Sequence, residues 1–361
     1  MKVGDRAYRS IWAEGPRGPV HVIDQTRLPH AFETRHLDSP EAVAEAIRAM
    51  RVRGAPLIGV TGAFGLALAM DRDPSDASLA SSVTRLAQTR PTAVNLAWAL
   101  ERVRAKLERL APSERAAAAW VEAHALADED VAINAAIGRH GLPLLRELHQ
   151  RLKRPVNVLT HCNAGWIATV DWGTALSPVY QAHDAGIPVH VWVDETRPRN
   201  QGLLTAWELA SHGVAHTLIV DNAGGHLMQH GQVDLVIVGA DRVTRRGDVC
   251  NKIGTYLKAL AARDNGVPFY VAVPTPTFDW LANDALADIP IEERAGEEVR
   301  VVRGLDDNGR PGSIAIAPDV TRVANPAFDV TPAALVTGIL TERGLFEANE
   351  TGLASLRPSR S

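Results

Sequence analysis

Short apolar runs recur at 156–160, 189–193, 217–220, 235–238 and 269–273, and the stretches between them, 172–185, 203–212, 225–230 and 253–265, have helical character. That alternation constrains the chain more than any other feature. Strands alternating with helices build a parallel sheet with right-handed crossovers, covered on both faces. In an open sheet of this kind, ligands bind beyond the carboxyl ends of the strands, where the strand order reverses. With the order 3-2-1-4-5, the first and fourth strands are neighbours flanking that crevice. Cys162 follows the first strand and Asp241 follows the fourth. Sequence order thus puts a thiol and a carboxylate at the favoured place for chemistry.

The grammar upstream is different. The first forty residues hold β-like pieces at 7–12 and 20–24, separated by Gly and Pro turns. From Pro40 to about Arg151 the pattern is helical, with segments at 41–50, 56–70, 91–110 and 112–140. Several carry proline at or near the first helical position, where its missing N–H costs nothing. A chain of 361 residues exceeds one ordinary core. The expected class is therefore α/β: a mainly helical N-terminal domain with a small β element over 1–150, a Rossmann-like parallel-sheet domain over 151–349, and a flexible polar tail over 350–361. No internal repeat is evident.

Composition narrows the function. Hydrophobic residues at 46% and charged residues at 22% exclude a disordered or fibrous chain. A net charge of -4 argues against broad attraction to nucleic acid or to an anionic membrane. The apolar stretch 54–70 is slightly short for a membrane span and rich in Gly and Ala, so a buried helix is expected. No apolar signal core follows Met1, and two cysteines offer no disulfide framework, which fits a reducing cytoplasm. The Gly-rich segment 59–65 follows no strand and does not read G-x-G-x-x-G, and no Walker A sequence is present. Cys162 and Cys250 lack C-x-x-C partners, so no metal site is expected.

Five constellations carry chemistry. Cys162, between a strand end and an expected helix start, would feel oriented N–H groups that favour thiolate; its alternative is a small buried hydrophobe. His161 points to the other side of an extended chain, which disfavours a cysteine–histidine nucleophile. Asp241 over an apolar pocket can hold a proton, or else serve structurally by bonding Arg242 or capping a helix. Arg53-Gly54-Ala55-Pro56 and Arg90-Pro91-Thr92 each place an arginine before a proline-initiated helix, which suggests an anion site between the domains. Gln201 lies beyond the second strand. Asn251 and Lys252 open a helix, where they bind a phosphate or sugar hydroxyl, or act as an N-cap and a solvated lysine.

The blocks RGAPLIGVTGAFGLALA, RPTAVNLAWAL, LTHCNAGWIATV, DETRPRNQG, TAWEL, VIVGADRV, GDVCNKIGTY and IPIEER, in this order between about residues 8 and 345, resemble the methylthioribose-1-phosphate isomerases. That family is related to regulatory subunits of translation initiation factor 2B. The resemblance implies an aldose–ketose isomerase of methionine salvage that acts on a sugar phosphate without a metal or organic cofactor, commonly as a homodimer. It matches Cys162 to the catalytic cysteine and Asp241 to the proton donor. It matches Arg53, Gly54, Ala55, Arg90, Gln201, Asn251 and Lys252 to substrate contacts. Three places depart from the family pattern: Trp166, where a small residue is usual, Ala223-Gly224, and Cys250. All are expected in loops facing the pocket, where they bear on substrate identity; the alternative is an isomerase of another aldose 1-phosphate, such as 5-deoxyribose 1-phosphate or ribose 1,5-bisphosphate. A non-catalytic regulatory subunit is the alternative from another class.

Overall fold

A computed structural model describes residues 1–91 and 93–358. Its seven-stranded sheet has the order Gly344–Phe346, Gly338–Thr341, Phe269–Ala272, Leu235–Val238, Val156–Thr160, Val189–Asp194, Ala215–Ile219. Every pairing is parallel except that of Gly338–Thr341 with Gly344–Phe346. Counted from Val156, the strands run 3-2-1-4-5 as expected, extended past the fifth. Val158 pairs with Leu235 and Leu159 with Val236, so the first and fourth strands lie side by side.

Side chains alternate across a strand, and both faces of this sheet are covered. Val156, Val158, Val191, Val193, Leu235 and Ile237 join the helices Ser177–Asp184 and Gly202–His212 in one apolar cluster. Leu159, Val236, Val238, Val271 and Ile339 join Met228, Ala259 and Ala262 of the opposite helices in another. Two buried faces explain why Leu235–Val238 reads as an unbroken apolar run.

A separate core lies upstream. The antiparallel strands Ile11–Ala13, Val20–Ile23 and Thr34–Leu37 pack with the helices Pro40–Arg48, Ala55–Arg72, Asp76–Ala87 and Val94–Leu107. Helix Ala55–Arg72 is buried almost all round, as the apolar stretch 54–70 implied. A Cβ at Gly59 would lie 2.9 Å from the Asn95 carbonyl oxygen, and one at Gly62 2.6 Å from Leu96. Those glycines let the neighbouring helix approach. Among the described residues, no helix is long and apolar enough to cross a membrane.

Helix Pro112–Leu152 has 41 residues and spans roughly 60 Å at the usual rise. The sequence placed its end near His140, but it runs through Pro143. The turns beyond the proline are held by Leu145 and Leu148, buried against the sheet cluster. Gly141 allows close contact there, since a Cβ would meet Pro178 at 2.5 Å and Leu340 at 2.7 Å. Tertiary packing outweighs the lost hydrogen bond.

Other expectations shift. The segment 91–110 is helical only over Val94–Leu107, so Pro91 precedes the helix instead of starting it, and Thr92 lies outside the described residues. The segment 172–185 shrinks to Ser177–Asp184, because Trp172 and Gly173 turn the chain at φ of 70° and 78°. The tail expected to fray forms a short helix, Glu350–Leu353, and a 3-10 turn, Ala354–Leu356, with Leu353 and Leu356 buried against the second sheet cluster. Asn251 and Lys252 do not open a helix. They end the strand Val249–Lys252 in a four-stranded sheet with Phe278–Asp279, Arg242–Thr244 and Phe328–Thr331; the next helix begins at Thr255.

Candidate active site

One cleft, about 1110 Å³ together with its open mouth, is lined by Cys162, Asp241, Arg53, Gly54, Ala55, Arg90, Gln201, Asn251 and Lys252. Every candidate from the sequence therefore faces the same space. The seven-stranded sheet contributes its strand ends, the turns before two upstream helices contribute the arginines, and the four-stranded sheet contributes Asn251 and Lys252.

Cys162 leaves its strand in the left-handed region, at φ 67°, which costs a non-glycine residue about 1–3 kcal/mol. The surroundings hold it there. Its N–H donates to Thr196 Oγ1 at 2.8 Å, and its carbonyl accepts from Thr205 Oγ1 at 2.8 Å. No long helix starts behind it, only the 3-10 turn Trp166–Ala168. Burial pushes the thiol up, with Arg53 and Lys252 pulling against it and Asp241 adding to it. The expected preference for thiolate is thus reversed in the resting protein.

Asp241 follows strand Leu235–Val238 through Gly239 and Ala240, and its N–H donates to the Cys250 carbonyl at 3.0 Å. Burial raises its carboxyl; Lys252, Arg90 and Arg53 lower it, and Glu292 opposes them. Arg242, the partner in its structural alternative, donates to Asp279 at 3.1 Å.

The cations are oriented from behind. Arg53 donates to Asn163 Oδ1 at 2.6 Å and to the Asn163 carbonyl at 2.7 Å. Asn163 in turn donates to Glu208 Oε1 and to Thr205 Oγ1. Glu208 is wholly buried, and that burial pushes its carboxyl up to about 8. Lys252 Nζ donates to the Ala327 carbonyl at 2.8 Å and sits 4.4 Å over the Phe328 ring; burial lowers its pKa. Arg90 has its guanidinium 3.9 Å from Glu292 Oε2, and burial lowers its pKa too. Gln201 Oε1 is buried with no hydrogen-bond partner among the described residues, an acceptor suited to a ligand hydroxyl. Asn251 Nδ2 donates to Thr255 Oγ1 at 3.0 Å.

Asn163 and Glu208 were missed as site residues, although both stand in the quoted blocks. Nothing in the spacing says that they meet.

Gly54 caps helix Ala55–Arg72 at φ 98°, and a Cβ there would lie 2.2 Å from the Ala168 carbonyl oxygen. Both the dihedral and the backbone clash demand glycine. Gly54→Ala is expected to lower unfolding stability by about 2 kcal/mol or more, read from denaturant midpoints. An unchanged midpoint would show that the Arg53 turn yields easily.

Two of the three departures from the family pattern sit away from the cleft. Trp166 is fully buried, 6.0 Å from the Trp207 ring, and belongs to a sheet cluster instead of the cleft. Ala223 and Gly224 begin the helix Ala223–Gln229 and do not line the cleft. Cys250 does line it, from strand Val249–Lys252, with its thiol pushed up to about 12, chiefly by burial.

Comparison with known proteins adds independent findings. The pattern of the Initiation factor 2 subunit family matches residues 51–348. A methylthioribose-1-phosphate isomerase of Acidiphilium cryptum is 62% identical, over 100% of this chain and 99% of its own. The crystal structure of 5-methylthioribose 1-phosphate isomerase from Pyrococcus horikoshii OT3 superposes with a TM-score of 0.84 at 41% identity, over 97% of this chain and 96% of that one. The translation initiation factor eIF-2B, subunit delta, from A. fulgidus superposes with a TM-score of 0.79 at 41% identity, over 97% and 99%.

Proposed function

The chain belongs to the initiation factor 2 subunit family and, within it, to the methylthioribose-1-phosphate isomerases, which are aldose–ketose isomerases; on that premise we propose that Asp241 is its acid and Cys162 its partner in hydrogen transfer. The reaction is the conversion of 5-methylthioribose 1-phosphate into 5-methylthioribulose 1-phosphate. The observation that carries the residue assignment is the meeting of Cys162, Asp241, two arginines and Lys252 around one cleft.

The phosphate on the anomeric carbon blocks simple ring opening. Asp241, protonated because burial disfavours its charge, gives its proton to the ring oxygen as the C1–O bond breaks. That break leaves C1 electron-poor, and C2 passes it a hydrogen together with the bonding pair, across the face where the neutral, polarizable Cys162 thiol stabilises the developing charge. The 2-hydroxyl becomes the ketone as its own proton leaves, which restores Asp241 and leaves the atom count unchanged. Arg53 and Arg90, with the N-terminus of helix Ala55–Arg72, hold the phosphate; Gln201, Asn251 and Lys252 hold the sugar oxygens. Positioning of C1 and C2 by these contacts is itself a large part of the rate.

Met50, Ile58, Ile289 and Phe328 also line the cleft. These apolar groups suit a methylthio substituent better than a second phosphate. The purified protein is expected to isomerise 5-methylthioribose 1-phosphate with a kcat/KM at least about tenfold above that for 5-deoxyribose 1-phosphate or ribose 1,5-bisphosphate. A preference for either competitor overturns the substrate. No turnover of any of them, with stable binding to a protein partner, supports the regulatory-subunit reading that the likeness to eIF-2B subunit delta raises. The working unit is a homodimer in this proposal. Helix Thr255–Asp264 leaves Tyr256, Leu257 and Leu260 partly to largely exposed, apolar surface that a second copy would cover.

A further inference from the structure

His161 lines the cleft, yet its side chain is fully buried and its ring is engaged at both ends. Nδ1 lies 2.8 Å from Asp194 Oδ2, and Nε2 lies 2.8 Å from the Ile253 carbonyl oxygen. A peptide oxygen only accepts, so Nε2 carries a hydrogen. The other ring nitrogen faces a carboxylate oxygen, so both ends of the imidazole meet oxygen atoms that can accept a hydrogen.

The charges around it agree. Asp194 ends strand Val189–Asp194, Asp221 lies 4.0 Å away after strand Ala215–Ile219, and Asp329 of strand Phe328–Thr331, which accepts from the Gly254 and Tyr256 N–H groups, is near enough to interact electrostatically with the ring. Lys258 of helix Thr255–Asp264 places Nζ 3.2 Å from Asp194 Oδ2 and donates to the Asp221 carbonyl. His161, Asp194 and Asp221 have the donor types of a metal site. The lysine ammonium already supplies a cation there, however, and both imidazole nitrogens are committed.

The ring's two partners come from different sheets, Asp194 from the end of a strand in the seven-stranded one and Ile253 from just after a strand in the four-stranded one. Asp194 leads into the turn whose Thr196 Oγ1 accepts the Cys162 N–H. Ile253 directly follows Asn251 and Lys252, and Gly254, at φ 102°, brings the turn so close that a Cβ would lie 3.0 Å from His161 Cε1. We propose, building on the roles given above to Cys162 and Lys252, that His161 is a positioning residue whose imidazolium clasps the Cys162 loop to the strand of Asn251 and Lys252, fixing the thiol against the bound sugar. It exchanges no proton with substrate.

Two measurements test this. Nitrogen-15 NMR of histidine-labelled wild-type protein at neutral pH should show hydrogen on both ring nitrogens of His161; a neutral tautomer overturns the proposal. His161→Gln, which reaches only one of the two acceptors, should lower kcat by about 10²-fold while KM changes by less than about threefold, because the thiol is displaced more than the phosphate cradle. The rate of Cys162 alkylation should change with it. Normal kcat in folded His161→Gln sinks the idea. If that variant does not fold, Asp194→Asn, which removes the charge partner but keeps an amide in place, should show the same loss of kcat, and its absence counts equally against the proposal. Cys162→Ser assayed alongside separates the two layers: an active Cys162→Ser protein removes the underlying assignment, whereas an inactive one beside a fully active His161→Gln removes this inference alone.

Discussion

Asp241→Asn is expected to lower kcat by about 10²-fold or more while the protein keeps its unfolding midpoint. The amide is the same shape and can donate a hydrogen bond, but it has no proton to give to the ring oxygen. Folding should tolerate the change, because burial already opposes the charged form of this carboxyl and its backbone N–H to Cys250 is untouched. The sign of the pH dependence follows from the same burial. A raised carboxyl stays protonated further toward neutrality, so activity falls as pH rises through its raised pKa. The Asn variant should lose that alkaline limb along with most of its rate. Steady-state kinetics across pH decides the matter: turnover within about threefold of the parent, with the limb intact, would remove Asp241 from the acid's role.

Cys162→Ser should cost a similar factor, about 10²-fold in kcat, for a different reason. Serine keeps the size, and it can hold the same left-handed backbone between Thr196 and Thr205. What changes is the atom facing C1 and C2: a hydroxyl is far less acidic and less polarizable than a thiol. The resting thiol is itself held neutral by burial, so alkylation of the parent should be slow near neutrality and accelerate as pH rises. Arg53 and Lys252 stand ready to stabilise charge once substrate has displaced the remaining water. Full activity in the serine variant, measured by single turnover to exclude a hidden slow release step, would show that sulfur is dispensable.

The architecture was legible where local pattern decides it. Apolar runs of strand length, bounded by turns and spaced by helices, gave the parallel sheet, and the strand order then located Cys162 and Asp241. Legibility failed where a distant partner decides. Asn251 and Lys252 look like a helix start because Thr255 onward is helical; they are a strand because residues 328–331 pair with them from far along the chain. Trp166 reads as a pocket residue beside Cys162, but Trp207 and the sheet cluster draw it inward. The helical pattern stops near His140, yet the burial of Leu145 and Leu148 carries the helix on through Pro143. Asn163 and Glu208 could not be joined from spacing, because their contact exists only once helix Gly202–His212 docks behind the Cys162 loop. In each case the missing information was a packing partner and not a residue type.

The rod Pro112–Leu152 has a mechanical corollary. Trp120 and Leu126 anchor one end in the upstream core, while Ile137 and Leu145 anchor the other in the sheet. No slack tether joins the part that supplies Arg53 and Arg90 to the part that supplies Cys162 and Asp241. A splint runs between them. A change in the distance between those parts would bend this splint, and Pro143 is the point where it lacks one ladder bond. The spacing between phosphate grip and reacting carbons is thereby shared between this splint and the direct bonds of Arg53 to Asn163.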